Sequence, residues 1–182
     1  MAKNMIRLDI VNGNPRTFVH TVDLEQGYFL EEIGKAGNDY LGEVADYEAY
    51  SVKLASATTK RGKLLLHASV PNQYDERLQE KDFVLPKGRP GRGYQVVMGD
   101  VITLPAVMCG GAVSDKLVLT GIAVNDEVAL GDGGKLKKVT ASETAIGYIE
   151  AIEELVVPMY QGQWGASNVQ DIVQVSCVVK FY

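Results

Sequence analysis

Apolar residues in this chain come in short runs, each closed within a few positions by glycine, asparagine, aspartate or proline, and that spacing constrains the fold more than any other feature. Leu117–Leu119, Ile122–Val124, Val128–Leu130 and Leu136–Val139 follow one another with turn signals between them, notably Asn125-Asp126 and Gly131-Asp132-Gly133-Gly134. Runs this short suit strands joined by tight turns, because an amphipathic helix needs about ten residues or more of unbroken 3.6-residue periodicity. The last run, Asp171 to Tyr182, is the clearest strand, with Ile172, Val173, Val175, Val178, Val179 and Phe181 close to strict alternation at its end.

The rest of the chain reads the same way. Ile6–Asp9 and Phe18–Leu24 are short strands divided by the turn signal Asn12-Gly13-Asn14-Pro15. Tyr47–Ala57 and Lys63–Val70 are further strands, the second buried and ended by Pro71 and Asn72. Tyr94–Met98 and Val101–Leu104 flank the turn Gly99-Asp100, after a turn-rich connection from Lys87 to Gly93. Helix is expected in only one or two short pieces. Tyr28–Gly37 groups Phe29, Leu30 and Ile33 on one helical face, and Asn72–Asp82 reads as a short helix or an ordered loop. Ala145–Ile152 reads as a strand, with a helix over Glu150–Leu155 as the competing reading. Gln161–Asn168 is a loop holding the single tryptophan, Trp164. The expected fold is therefore mainly β, a small barrel or sandwich of many short strands.

A chain of 182 residues suits one domain or two lobes that share a core. Residues 1–60 read as an N-terminal arm and strands packed against a β-rich core at 61–182, with one domain over 1–182 as the alternative. Apolar residues make up 46% and charged residues 23%, enough apolar surface to fold without staples. The net charge of −5 argues against a nucleic-acid clamp, which neutralises phosphates with a basic face. The densest basic stretch, Lys87 to Arg92, reads as a solvated turn. No apolar stretch is long enough to cross a bilayer, and the N-terminus lacks the apolar segment of a signal peptide, so synthesis and folding in the cytoplasm are expected.

The inventory for chemistry is thin. The two histidines, His20 and His67, form no HxH or HExxH pair and read as packed residues rather than general bases. Cys109 and Cys177 lie far apart in apolar contexts, with neither a disulfide-framework nor a zinc spacing, and read as small core residues. No GxSxG elbow is present. The glycine-rich stretches Gly88–Gly93 and Gly131–Gly134 lead into strands, where a phosphate cradle requires a helix N-terminus. Asp126, Glu127 and Asp132 lack the alternating oxygens and final glutamate of a calcium loop. No catalytic residue, metal or cofactor is therefore expected. The side chains of interface type are Tyr74, Asp75 and Arg77, together with Arg89, Arg92 and Tyr94, which offer aromatic and arginine groups of the kind enriched where proteins meet.

Several strings resemble phage head proteins. Leu64–Pro71, Tyr74-Asp75-Glu76-Arg77, Asp82-Phe83, Gly88, Arg92-Gly93-Tyr94 and Gly99-Asp100-Val101-Ile102 look like the order found in phage minor head proteins. The second half is similar to capsid decoration (cement) proteins of tailed bacteriophages, through Asp126–Gly131, Gly133-Gly134-Lys135-Leu136 and Ala145-Ile146-Gly147. The resemblance covers residues 60 to 182. It implies a β-rich virion structural protein without enzymatic activity that sits on the capsid surface, binds the major capsid protein and forms a homo-oligomer, expected to be a trimer. A phage tail or fibre component, or a carbohydrate-binding β-sandwich using Trp164 and Tyr160 as a platform, is the alternative.

Overall fold

The computed structural model describes residues 6–36, 49–69, 83–114, 118–140, 142–160 and 169–182. It is β-rich, as expected, and its helical content among these residues is limited to single turns such as Arg61–Lys63 and Ala106–Met108.

The first structural unit is a closed five-stranded barrel. Its members are β2 (Pro15–Val19), β4 (Phe29–Lys35), β5 (Ala49–Leu54), β6 (Leu64–His67) and β8 (Pro90–Gln95), arranged in the order β2-β5-β4-β6-β8 around the wall. Every neighbouring pair is antiparallel except β2 with β5. A two-stranded ribbon of β3 (Leu24–Glu25) and β7 (Val84–Leu85) adds Leu24 and Leu85 to the barrel interior, where they join Phe18, Leu30, Val52 and Leu65.

The second unit is a six-stranded sheet in the order β1-β9-β15-β14-β12-β13. Its strands are β1 (Arg7–Ile10), β9 (Val101–Pro105), β12 (Glu127–Leu130), β13 (Leu136–Lys138), β14 (Gly147–Tyr160) and β15 (Val169–Phe181), all antiparallel. A separate ribbon pairs β10 (Ala112–Val113) with β11 (Leu119–Thr120). The sheet's outer strands are short and carry Arg7, Asp9, Lys137 and Lys138, which discourages edge-to-edge pairing.

Strand alternation joins the two units. On β6, Leu65 points into the barrel while Leu64 and Leu66 point away, and on β4 Leu30 and Phe29 divide in the same way. The outward set meets Ile102, Leu104, Val128, Leu130, Leu136, Ile149, Cys177, Val179 and Phe181 from the sheet in one continuous apolar core. The β12–β13 turn reinforces this contact. Gly134 donates its N–H to the Ala55 carbonyl (2.9 Å), and its own carbonyl accepts from Phe29 N–H (2.8 Å). Its φ of +74° and the Phe29 oxygen only 2.6 Å from where a Cβ would sit leave room for glycine alone.

Three local readings need correction. Within Tyr28–Gly37, Phe29–Lys35 is strand β4 and not a helical turn, and a bulge between Glu32 and Gly34 leaves Ile33 58% exposed. The connection Lys87–Gly93 already contains barrel strand from Pro90 onward. Ile122–Val124 forms no strand, although Ile122 is buried. Over Gly147–Tyr160 the strand reading holds and the helix reading fails. Asn72–Asp82 includes no residue within the described set, and neither does Gln161–Asn168.

Asp100 is fully buried and clasps two turns together. One carboxylate oxygen accepts from the Asn12 backbone N–H (2.8 Å) and side-chain amide (3.3 Å), and the other accepts from Val97 N–H (2.8 Å). Replacing Asp100 with alanine strands the backbone donors, and we expect a loss of about 3 kcal/mol. Gly134→Ala is expected to cost about 2 kcal/mol or more, from the left-handed backbone and the steric contact together. Urea unfolding of both variants checks these values.

Candidate protein interface

Strand β8 has two different faces, and glycine is the reason. A Cβ on Gly91 would collide with the Leu85 side chain and lie 2.6 Å from Phe18 Cζ, while one on Gly93 would lie 3.2 Å from the same ring. The barrel interior is filled by Phe18, so the inward positions of β8 have no space for a side chain. The alternate positions, Arg92 and Tyr94, therefore stand on the outer wall. Arg92 is exposed, and its guanidinium carbon lies 5.7 Å from the centroid of the half-buried Tyr94 ring. This contact lays a long cationic side chain along an aromatic ring, which restricts its rotamers.

The backbone beneath the stack is pinned. Arg92 N–H donates to Ser69 Oγ (2.9 Å), and the Arg92 carbonyl accepts from Ala68 N–H (3.0 Å). Across the barrel seam, Thr17 stands opposite Arg92 and Pro15 opposite Tyr94. Arg89, also exposed, lies in the turn before β8, where Gly88 donates to the His20 carbonyl (2.8 Å) and Lys87 N–H to Asp23 Oδ1 (2.8 Å). The structure thus brings Arg92 and Tyr94 together and leaves Arg89 at the barrel end. Tyr74, Asp75 and Arg77 lie outside the described residues.

A second stack of the same type was not anticipated from sequence. Arg16 on β2 lies 4.9 Å from the Tyr50 ring on β5 and pairs with Glu32 on β4 (3.5 Å). Its members meet through the parallel β2–β5 pairing, which no local sequence pattern announces.

The polar groups with catalytic potential point inward instead. His67 is fully buried, with Nδ1 2.7 Å from the Glu25 carbonyl and Nε2 2.9 Å from Ser69 Oγ. A carbonyl only accepts, so Nδ1 carries the proton and Nε2 accepts from the Ser69 hydroxyl. The Phe18 ring meets the imidazole edge-on at 5.3 Å. Ser69 and His67 have the contact of a nucleophile and its base, yet Ser69 Oγ also accepts the Arg92 amide and is itself buried. Gln26 donates to the Ser69 carbonyl (2.7 Å), and His20 accepts from Val22 N–H (3.0 Å). These bonds tie the barrel end to itself. Asp126 accepts from Ala123 N–H (2.8 Å) and pairs with Lys138 (2.7 Å), so this carboxylate is engaged within the turn. Among the described residues, no group of three or more His, Cys, Asp or Glu side chains is placed to hold a metal ion. No helix among them is long and apolar enough to cross a membrane.

No protein-family model matches this chain, and neither the curated proteins nor the solved structures include a significant match.

Burial holds the His67 imidazolium well below its ordinary value near 6.5, at about 4. The unfolded chain therefore takes up this proton before the folded one does. The contribution is fully present above about pH 6.5 and is lost as pH falls from there towards 4, about 3 kcal/mol in total. His67→Gln removes the titrating ring, so its stability should fall less steeply across this window than that of the wild type. Chemical denaturation at a series of pH values would measure the difference in slope.

Proposed function

We propose that this chain is a non-enzymatic virion structural protein that binds the outer surface of an assembled phage capsid and stabilises the expanded shell by bridging neighbouring capsid subunits. The observation that carries the reading is the Arg92–Tyr94 stack on the exposed barrel wall, an anchor of the composition that dominates protein interfaces. The sequence resemblance to decoration proteins supplies the partner, the major capsid protein, and the expected trimeric state. The closed barrel packed on the large sheet supports the same reading, because a bridge between subunits must transmit load without rearranging.

The mechanism requires no reaction. A protein whose binding surface is complete only on the expanded lattice stabilises that lattice over the unexpanded shell by linkage. Many identical sites act together on one particle, and a trimer raises the effective concentration of each further contact once the first is made.

Co-sedimentation of the purified protein with undecorated shells of the phage that encodes it tests the proposal. We expect saturable binding to expanded shells at a copy number that matches the lattice symmetry, with weaker binding to unexpanded ones. Equal absence of binding to both shells overturns the reading and favours the tail, fibre or glycan-binding alternative. Arg92→Ala and Tyr94→Ala should each weaken shell binding by about tenfold or more. Arg92→Ala should shift unfolding stability by no more than about 0.5 kcal/mol, since its side chain is at the surface.

A further inference from the structure

Six cations of this acidic chain already face a carboxylate. Among the described residues, Arg7, Arg16, Lys53, Lys137, Lys138 and Lys180 each pair with an aspartate or glutamate. Two groups of cations have no such pair: Lys60, Arg61 and Lys63 at the turn before β6, and Lys87, Arg89 and Arg92 at the start of β8. In the first group, Lys63 lies within electrostatic reach of Glu31. In the second, all three side chains are exposed, and Asp23 lies against the turn, where its Oδ1 accepts the Lys87 backbone N–H (2.8 Å). Three cations beside one carboxylate leave a local excess of positive charge on a chain whose net charge is −5.

The backbone under this second group is already fixed. Gly88 N–H donates to the His20 carbonyl (2.8 Å), and Arg89 N–H closes the turn on the Pro86 carbonyl (3.2 Å). Arg92 is held on both sides of its peptide, by Ser69 Oγ (2.9 Å) and by Ala68 N–H (3.0 Å). A partner therefore meets cations whose backbone spacing is set in advance, and only their side chains remain to be ordered. The Arg92 guanidinium carbon lies 5.7 Å from the Tyr94 ring centroid. A guanidinium that rests on a ring keeps its in-plane N–H donors, and that fork matches the two oxygens of a carboxylate.

We propose that Lys87, Arg89 and Arg92, beside Tyr94, receive a short acidic segment of the protein partner, whose carboxylates pair with the three cations. The inference rests on the interface reading of this same wall and adds to it the chemistry of the partner. The segment must be short, because the chain outside the patch is net acidic and repels a long polyanion. A nucleic acid needs a longer basic track that neutralises successive phosphates. Exposed charges of this kind act mainly on the rate of encounter, and salt screens them.

The test is an NMR titration of the full-length protein with acetylated hexaglutamate, read from the arginine side-chain N–H groups and the Tyr94 ring. Hexathymidylate serves as the phosphate comparison, and shell co-sedimentation is run alongside at low and high salt. We expect hexaglutamate to shift Arg89, Arg92 and Tyr94 at about 20 mM salt and to lose that effect at about 300 mM. Arg89→Gln and Arg92→Gln should each weaken hexaglutamate binding about threefold, whereas Lys60→Gln on the other basic turn should leave it unchanged. Absence of any shift at low salt overturns the inference, as do shifts centred on residues 60–63. Tighter binding of hexathymidylate than of hexaglutamate overturns it in favour of a nucleic-acid partner. Shell binding separates the inference from the reading beneath it. Expanded shells that bind the wild type and both glutamine variants equally, at either salt concentration, exclude the acidic segment and leave the capsid reading standing. Hexaglutamate binding without binding to either shell supports the acidic ligand and removes the capsid as its source.

Discussion

The structure depends on the apolar contact between the barrel wall and the large sheet. Neither unit is complete alone, because Phe29, Leu64 and Leu66 leave the barrel to pack against Ile102, Leu104, Val179 and Phe181 of the sheet. Gly134 adds a backbone link to this side-chain contact, exchanging hydrogen bonds with Phe29 and Ala55 while Ala55 N–H donates to Phe29 itself (2.9 Å). A turn that was free to move would expose these amides to water and the apolar surface behind them. The link works only with a residue that tolerates positive φ and has no Cβ, so one glycine fixes how the two units meet.

The barrel also decides which groups face solvent. Phe18 fills the interior so closely that β8 presents glycine on that side, and the same alternation sends Arg92 and Tyr94 outward. At the barrel end, His20, Gln26, His67 and Ser69 are buried and spend their polar atoms on internal hydrogen bonds. Burial makes imidazole protonation unfavourable, so these groups stiffen the end of the barrel at neutral pH. Polar groups that hold the barrel closed lie inside, and the arginine–aromatic stack lies outside.

How much of this was legible in the sequence follows from how local each feature is. The alternation from Asp171 to Tyr182 identified β15, and Gly131–Gly134 identified the β12–β13 turn, because both are encoded by neighbouring residues. Strand β4 was misread because its bulge interrupts the two-residue period and leaves Phe29, Leu30 and Ile33 spaced as on a helix. Pro90–Gly93 resembled a turn because glycine is usually a turn former, whereas here it answers to Phe18, a residue far away in sequence. Arg92 and Tyr94 were singled out by residue type alone, and their shared face was not legible, because Arg92 read as part of a turn and only strand Pro90–Gln95 sets the two side by side. Arg16–Tyr50 was not legible either, since it depends on a parallel pairing that only the folded barrel creates.

The long hairpin is the other element that the shared core must support. Only Gly147 and Tyr148 of β14 pair with β12, and only Ser176–Lys180 of β15 pair with β9. From there to the Tyr160–Val169 pair the two strands continue together, and no third strand joins them among the described residues. A two-stranded ribbon is marginally stable in water, so its length must be supported by its base. The base is well anchored: Ile149 and Val179 lie in the shared core, and Arg7 on β1 pairs with Glu153 beside them (3.1 Å). The short charged edges β1 and β13 discourage further strands from joining the sheet. Beyond the sheet's other strands, the ribbon is therefore held by its own cross-strand hydrogen bonds and by its root in the shared core.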